Sequence, residues 1–233
     1  MTGRTPPGVG REREAGMRYA VLGTGVVGRT LGTKLVELGH EVTLGSRSAD
    51  NPAALEWVRA AGGGAAAGTF AEAAAAGEVV VNAVGGRVAL PALEAAGARH
   101  LDGKVLIDVS NPLAFEDGLV RLSPVESDSV GEQIQRAFPA ARVVKTLNTV
   151  NCEVMVEPSL VPGEHQLFVC GDDAGAKEQV TGLLGEFGWP ARRVLDLGGI
   201  TASRAMEMYL PLWLTLMGRF GHAHFNLELR SAQ

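Results

Sequence analysis

Along most of the chain, short apolar runs take turns with stretches whose apolar residues recur at helical spacing. Arg18–Leu22, Glu41–Leu44, Val79–Val84, Lys104–Asp108 and Arg142–Lys145 read as strands. Between them lie helical patterns: Val26–Leu38, with Val27, Leu31, Leu35 and Leu38 on one stripe, then Pro52–Ala61 and Val88–Ala96. Another helix is predicted from Ser129, which has capping-box spacing to Glu132, through Phe138, where Pro139 stops it. The Ala/Gly-rich tract Ala60–Gly77 predicts a short strand and helix written in small residues. A strand with one wet face alternates apolar and polar residues; these do not, so both faces of their sheet are covered. Helices between successive strands then predict an α/β fold with a doubly wound parallel sheet.

After about Asn151 the pattern loosens. Gln166–Cys170 and Arg193–Leu195 read as strands around a helix at Ala174–Phe187. A dense apolar helix follows at Ala205–Met217, with Pro211 expected to kink it, and His224–Leu229 is predicted as a closing strand. Residues 1–16, rich in Pro, Gly and charge, read as a disordered arm. The expected organisation is therefore this arm, a nucleotide-binding domain over 17–155 and a smaller C-terminal α+β lobe over 156–233.

The chain has 233 residues, of which 46% are hydrophobic, and a formal charge of −5. That balance gives no strong attraction to nucleic acid or to an anionic membrane surface, and no apolar run approaches a membrane span. Cys152 and Cys170 are too few for a disulfide framework, so a reducing cytoplasm is the expected compartment. The scarcity of lysine beside arginine, with abundant Ala and Gly, points to a GC-rich bacterial genome.

The first predicted strand runs straight into Gly23-Thr24-Gly25-Val26-Val27-Gly28, which opens a helix. This is G-x-G-x-x-G in the context it requires. Gly23 permits the tight turn, Gly25 lets backbone approach a pyrophosphate, and Gly28 lets helix and strand pack closely. The phosphates would sit on the helix N-terminus. These features specify a Rossmann dinucleotide-binding fold. An NAD site carries an acid near the end of the second strand; here that strand ends Gly45-Ser46-Arg47, with no acid before Asp50. Ser46 can donate to a 2′-phosphate and Arg47 can pair with it, so NADP is expected over NAD. In a doubly wound sheet the later strand ends form the ligand crevice. The small residues Ala83, Val84 and Gly85 would leave room for ribose and nicotinamide there. Asn111, Asn148 and Asn151 either orient a ligand or serve turn chemistry, and the sequence leaves both open.

The glycine loop, Gly45-Ser46-Arg47, Asp108-Val109-Ser110-Asn111-Pro112-Leu113, Val144-Lys145-Thr146-Leu147-Asn148-Thr149 and Phe168-Val169-Cys170-Gly171-Asp172-Asp173 together resemble the coenzyme F420-dependent NADP reductase family over roughly residues 17–230. The resemblance implies hydride transfer between NADPH and a deazaflavin. It implies NADP contacts at Thr24, Val26, Val27, Ser46 and Arg47, and a nicotinamide pocket near Ala83–Gly86 and Asn148. The chain departs from the family where Ala49, Asp50 and Asn51 supply no further basic residue. Other readings are a reductase of a flavin, imine, carbonyl or metal chelate, and a non-catalytic NADP(H) sensor. The crevice segments offer only Asp108 and Lys145 as proton donors, so the catalytic residues stay unassigned; no metal site is expected, because His222 and His224 would share a strand face but no acidic or Cys cluster joins them. The Ala205–Met217 segment is either core of the small lobe or, as expected here, a homodimer contact anchored by Leu212, Trp213 and Leu216 that also closes the crevice.

Overall fold

The computed structural model describes residues 16–116 and 119–232. Apart from Gly16, the N-terminal arm lies outside the described residues. The first half of the chain alternates as predicted: β1 (Arg18–Leu22), α1 (Val26–Glu37), β2 (Glu41–Ser46), α2 (Pro52–Ala61), β3 (Ala65–Thr69), α3 (Phe70–Ala76), β4 (Val79–Asn82), α4 (Ala89–Ala96) and β5 (Val105–Asp108). A hairpin, β6 (Leu113–Glu116) with β7 (Leu119–Leu122), precedes α5 (Val130–Ala137) and β8 (Arg142–Thr146). Then come α6 (Cys152–Val156), β9 (Leu167–Cys170), α7 (Ala174–Glu186), β10 (Val194–Asp196), α8 (Ser203–Met208) and α9 (Leu210–Phe220).

Eight strands make one sheet, ordered β10-β9-β8-β5-β4-β1-β2-β3. The run from β3 to β8 is parallel throughout; β9 pairs antiparallel with β8, and β10 runs with β9. Successive side chains of a strand point to opposite faces. Tyr19 and Val21 of β1 accordingly pack with Leu31, Leu35 and Trp57 on one side. Ala20 and Leu22 pack with Phe70, Ala73 and Leu93 on the other. Both faces are dry, which is why the strands read as unbroken apolar runs.

The segment after residue 155 adds β9 and β10 to the common sheet, and Leu167, Leu184 and the fully buried Trp189 join the same core as Tyr19. Three local readings need correction. Residues 224–229 form no strand: Leu227 O accepts from Gln166 N at 2.9 Å without a ladder following. The predicted Ala205–Met217 helix is two, because Pro211 lacks an N–H to continue the hydrogen bonding and starts α9 afresh. Ser129 caps α5 by accepting from Glu132 N at 3.2 Å, but the Glu132 carboxylate turns to the Ser129 hydroxyl and to Arg204 instead of closing the box. The complete box is at α3, between Thr69 and Glu72. Among the described residues no helix is long and apolar enough to cross a membrane.

Candidate cofactor and substrate site

The crevice is built by the loops that leave the C-terminal ends of β1, β2, β4, β5 and β8. After β1, Gly23 has φ +122°, a conformation closed to most L-residues, and a Cβ there would meet Ala83 O at 2.8 Å. Gly28 packs so closely that a Cβ would lie 2.1 Å from Gly23 O. Gly25 differs: it caps α1 with no side-chain hydrogen bond, and open space surrounds the point where a Cβ would stand. A turn, a close contact and an open cradle are thus divided among the three glycines. The dipole and the uncapped N–H groups of α1 favour an anion in that cradle.

At the end of β2, Ser46 is buried and Arg47 is exposed. The Ser46 hydroxyl donates to Ser48 O at 2.6 Å and accepts from Ser48 N at 3.2 Å, so it shapes the turn that presents Arg47. Arg47 makes no hydrogen bond or ion pair among the described residues. Gly23, Thr24, Ser46, Arg47, Phe70, Val84 and Ala92 belong to the lining of a groove of about 610 Å³.

Val84 also borders a second cavity of about 330 Å³, on the other side of the glycine loop. Val27, Ala83, Gly85, Ser110, Asn111, Asn148, Cys152, Leu210 and Trp213 are among its walls. The two Asn residues hold each other: Asn111 Nδ2 donates to Asn148 O at 2.8 Å, and Asn148 Nδ2 donates to Asn111 Oδ1 at 3.0 Å. Asn148 Nδ2 also reaches Met206 O at 3.1 Å, tying α8 to the crevice. The amide groups are therefore largely spent on architecture, except that Asn148 Oδ1 is buried without a partner among the described residues. The residue before it, Leu147, is buried in the left-handed region at φ +64°, strain that a non-glycine residue keeps only where its surroundings enforce it.

Behind this cavity lies a charge network whose members stand far apart along the chain. Lys145 on β8 is fully buried, and its Nζ donates to Asp108 Oδ2 at 2.8 Å and to Ser110 O at 2.6 Å, with Glu207 Oε1 at 2.8 Å. Three ammonium donors meet three acceptors. Burial alone would pull the Lys145 ammonium down, but the two carboxylates beside it outweigh that and hold it above the usual lysine range. Glu207 also accepts from Val130 N at 3.0 Å and Gly131 N at 3.2 Å, the first turn of α5. One carboxylate from α8 thus satisfies a helix N-terminus and a buried cation, locking α8 in place. Cys170 is buried nearby, and burial pushes its thiol up to about 12, which makes it inert.

Trp213, expected as a dimer anchor of a segment that also closes the crevice, is a wall of the second cavity. It stacks on Phe225 with ring centroids 5.4 Å apart, whereas Leu212 is 52% exposed and Leu216 half-buried. Met155 was missed as a site residue because it arrives from an element distant in sequence, whereas Leu210 and Trp213 belong to the apolar segment expected to close the crevice. His222 and His224 have rings 6.4 Å apart, His224 contacts Glu153, and no group of three His, Cys, Asp or Glu side chains suited to a metal occurs among the described residues.

Comparison with known proteins gives this crevice its context. Residues 18–112 match the family model described as NADP oxidoreductase, coenzyme F420-dependent. A structure from Arthrobacter sp. FB24, provisionally named an F420-dependent NADP reductase, is 47% identical with a TM-score of 0.87, covering 93% of this chain and 100% of that one. Metalloreductase STEAP3 of Rattus norvegicus is 31% identical over 200 residues, covering 84% of this chain, which spans only 38% of that protein's length. An imine reductase from Aspergillus terreus, solved with NADPH4 and dibenz[c,e]azepine, shares the fold at 19% identity and a TM-score of 0.63, covering 89% of this chain and 64% of the other. The chain belongs to the family of coenzyme F420-dependent NADP oxidoreductases.

Proposed function

We propose that the protein transfers a hydride between NADPH and a deazaflavin coenzyme of the F420 type. The residues present fit the dinucleotide: the cradle at Gly25 is open, the uncapped start of α1 favours its pyrophosphate, and Arg47 stands free beside the groove for a 2′-phosphate. Thr24, Val26, Val27 and Gly28 would hold the phosphates with Gly23 and Gly25, while Ala83, Val84 and Gly85 would flank the nicotinamide. NADPH, when bound, supplies the hydride; this chain orients the partners and keeps water out.

One observation carries the choice of acceptor. The walls of the second cavity include no His, Lys, Tyr, Asp or Glu among the described residues. Reduction of an imine or carbonyl asks for a proton donor at the reacting atom, and such a donor is usually one of those side chains. A deazaflavin asks chiefly for orientation and a dry contact. The same reading carries a homodimer, joined through the outward stripe of α9.

The test is steady-state NADPH oxidation with a panel of acceptors: a deazaflavin, FMN, a cyclic imine and a ferric chelate. We expect turnover with the deazaflavin to exceed the others by at least about tenfold in kcat/KM, a difference of 1.4 kcal/mol. Preference for the imine or the chelate would overturn the acceptor assignment. NADPH binding with no turnover of any acceptor would favour a sensor.

A further inference from the structure

Three costly features fall together around the C-terminal ends of β5 and β8. The first is the buried ion cluster of Asp108, Lys145 and Glu207. Apolar side chains of similar size often replace such a cluster at no loss of stability, so it needs a reason beyond stability. The second is Leu147, buried with φ +64°. The third is a set of polar atoms, Ser110 Oγ, Asn148 Oδ1 and Thr149 Oγ1, buried without a partner among the described residues. Costs of this kind persist where function requires a fixed geometry.

The geometry that they fix is that of the second cavity. Ser110 and Asn111 form one wall, and Leu210 and Trp213, which follow closely on Glu207 in the chain, form another. Lys145 Nζ reaches both sides: it donates to Ser110 O at 2.6 Å and stands 2.8 Å from Glu207 Oε1. Asp108 Oδ2 accepts from the same ammonium at 2.8 Å, while its Oδ1 accepts from Ser110 N at 3.1 Å and Asn82 Nδ2 at 2.8 Å. Asn148 makes a parallel connection with neutral groups, Nδ2 donating to Asn111 Oδ1 at 3.0 Å and to Met206 O at 3.1 Å. Charge-assisted bonds are roughly twice as strong as neutral ones, so the ion cluster is the firmer tie. Neither Lys145 nor Glu207 lines the cavity, so both act through its walls.

We infer that Lys145 and Glu207 are positioning residues: one buried ammonium ties the Ser110–Asn111 loop to α8 and so holds the Leu210–Trp213 wall closed over the hydride acceptor. This rests on reading the second cavity as the acceptor site. Hydrogen-bonded charges fix direction as well as distance, whereas an apolar replacement loses rigidity before it loses stability. Without the ammonium the wall samples open positions, and the acceptor must first close it. Its apparent affinity then falls in proportion to the closed fraction, while an acceptor once bound reacts as before.

The test is the double variant Lys145→Met with Asp108→Asn, which removes the cation and one carboxylate together. Glu207 keeps its two backbone donors at the start of α5, and the amide oxygen introduced at 108 can still accept from Asn82 and Ser110. We expect the variant to melt within about 3 °C of the parent and to bind NADPH within about twofold. With a deazaflavin as acceptor, KM should rise about tenfold while kcat stays within about twofold. Cys152, in the cavity wall, supplies a readout that needs no acceptor. The thiol reagent DTNB should label it at least about fivefold faster in the variant, with the buried Cys170 unlabelled in both proteins. Should the double variant not fold, Glu207→Gln cuts the same tie at α8 and is read in the same way. An unchanged KM or an unchanged labelling rate overturns the inference. Labelling of both thiols, or failure of both variants to fold, overturns it too, since the cluster would then serve the fold as a whole. If the parent turns over no deazaflavin, the functional reading above fails instead, and the labelling rate alone decides for or against the tie.

Discussion

Arg47 stands beside the larger groove with its guanidinium unpaired among the described residues, held out by a turn that consumes the Ser46 hydroxyl. A charged hydrogen bond to a 2′-phosphate contributes about 1.5–3 kcal/mol, tenfold or more in affinity. Fluorescence titration of Arg47→Ala should therefore show NADPH bound at least tenfold more weakly and NADH bound as before. Equal losses for both cofactors would mean that Arg47 does not read the phosphate. The chemistry at this position was legible in the sequence, because the missing acid and the Ser-Arg pair follow a strand end that periodicity locates. Ser46 was legible only as a polar group; its bond to Ser48 O depends on backbone conformation. Asn111 and Asn148 stayed ambiguous for the same reason. Their amides brace the crevice, and Asn148 Oδ1 has no partner among the described residues. The Asp108–Lys145–Glu207 network was hidden because its third member arrives from a helix 62 positions after Lys145 in the chain.

At the scale of elements, the loop from β1 into α1 separates two glycine roles that a motif merges. Gly28→Ala forces a Cβ toward Gly23 O at 2.1 Å, a backbone atom that cannot rotate away. Overpacking of this kind costs about 1–3 kcal/mol. Gly25→Ala places its methyl in open space, and at a helix N-cap that exchange costs about 1 kcal/mol or less. The expected outcome is a crossed pattern: Gly28→Ala melts clearly lower, whereas Gly25→Ala melts near the parent yet loses NADPH affinity by tenfold or more. Thermal melts with and without NADPH would reveal it, and undiminished affinity in Gly25→Ala would remove the cofactor from that cradle. The strands of the first half were easy to read because two buried faces leave unbroken apolar runs. The β6–β7 hairpin went unread although Asp-Gly between its apolar runs is a strong turn signal. The closing strand was over-read, since residues 224–229 have the composition of a strand but find no ladder to join.

For the whole molecule, the question is what covers α9. Its inward side meets Phe225 and the second cavity, but Met208, Leu212 and Leu216 recur every fourth residue across α8 and α9 as an outward ridge, which Phe220 continues with one ring edge against Phe225. Met208 is 42% exposed, and Leu212 and Phe220 are each 52% exposed. A ridge at i, i+4, i+8 is the surface that helices use to pack on one another. Against a second copy related by a two-fold axis, it would meet its own equivalent, as closed dimers require. The choice of Leu212 over Trp213 as its anchor follows from the exposure of each. Leu212→Glu would set two like charges against each other in the desolvated centre, costing about 2 kcal/mol or more and weakening association at least thirtyfold. Light scattering at micromolar concentration should then show a dimeric parent and a monomeric Leu212→Glu variant. The variant should keep the NADPH preference proposed for Arg47, because α9 meets the second cavity rather than the groove beside Arg47. A parent that scatters as a monomer at that concentration would leave the ridge without a second copy. The inward role of Trp213 would survive that result, since it rests on the cavity wall and an indole N–H without a partner among the described residues, neither of which depends on a dimer.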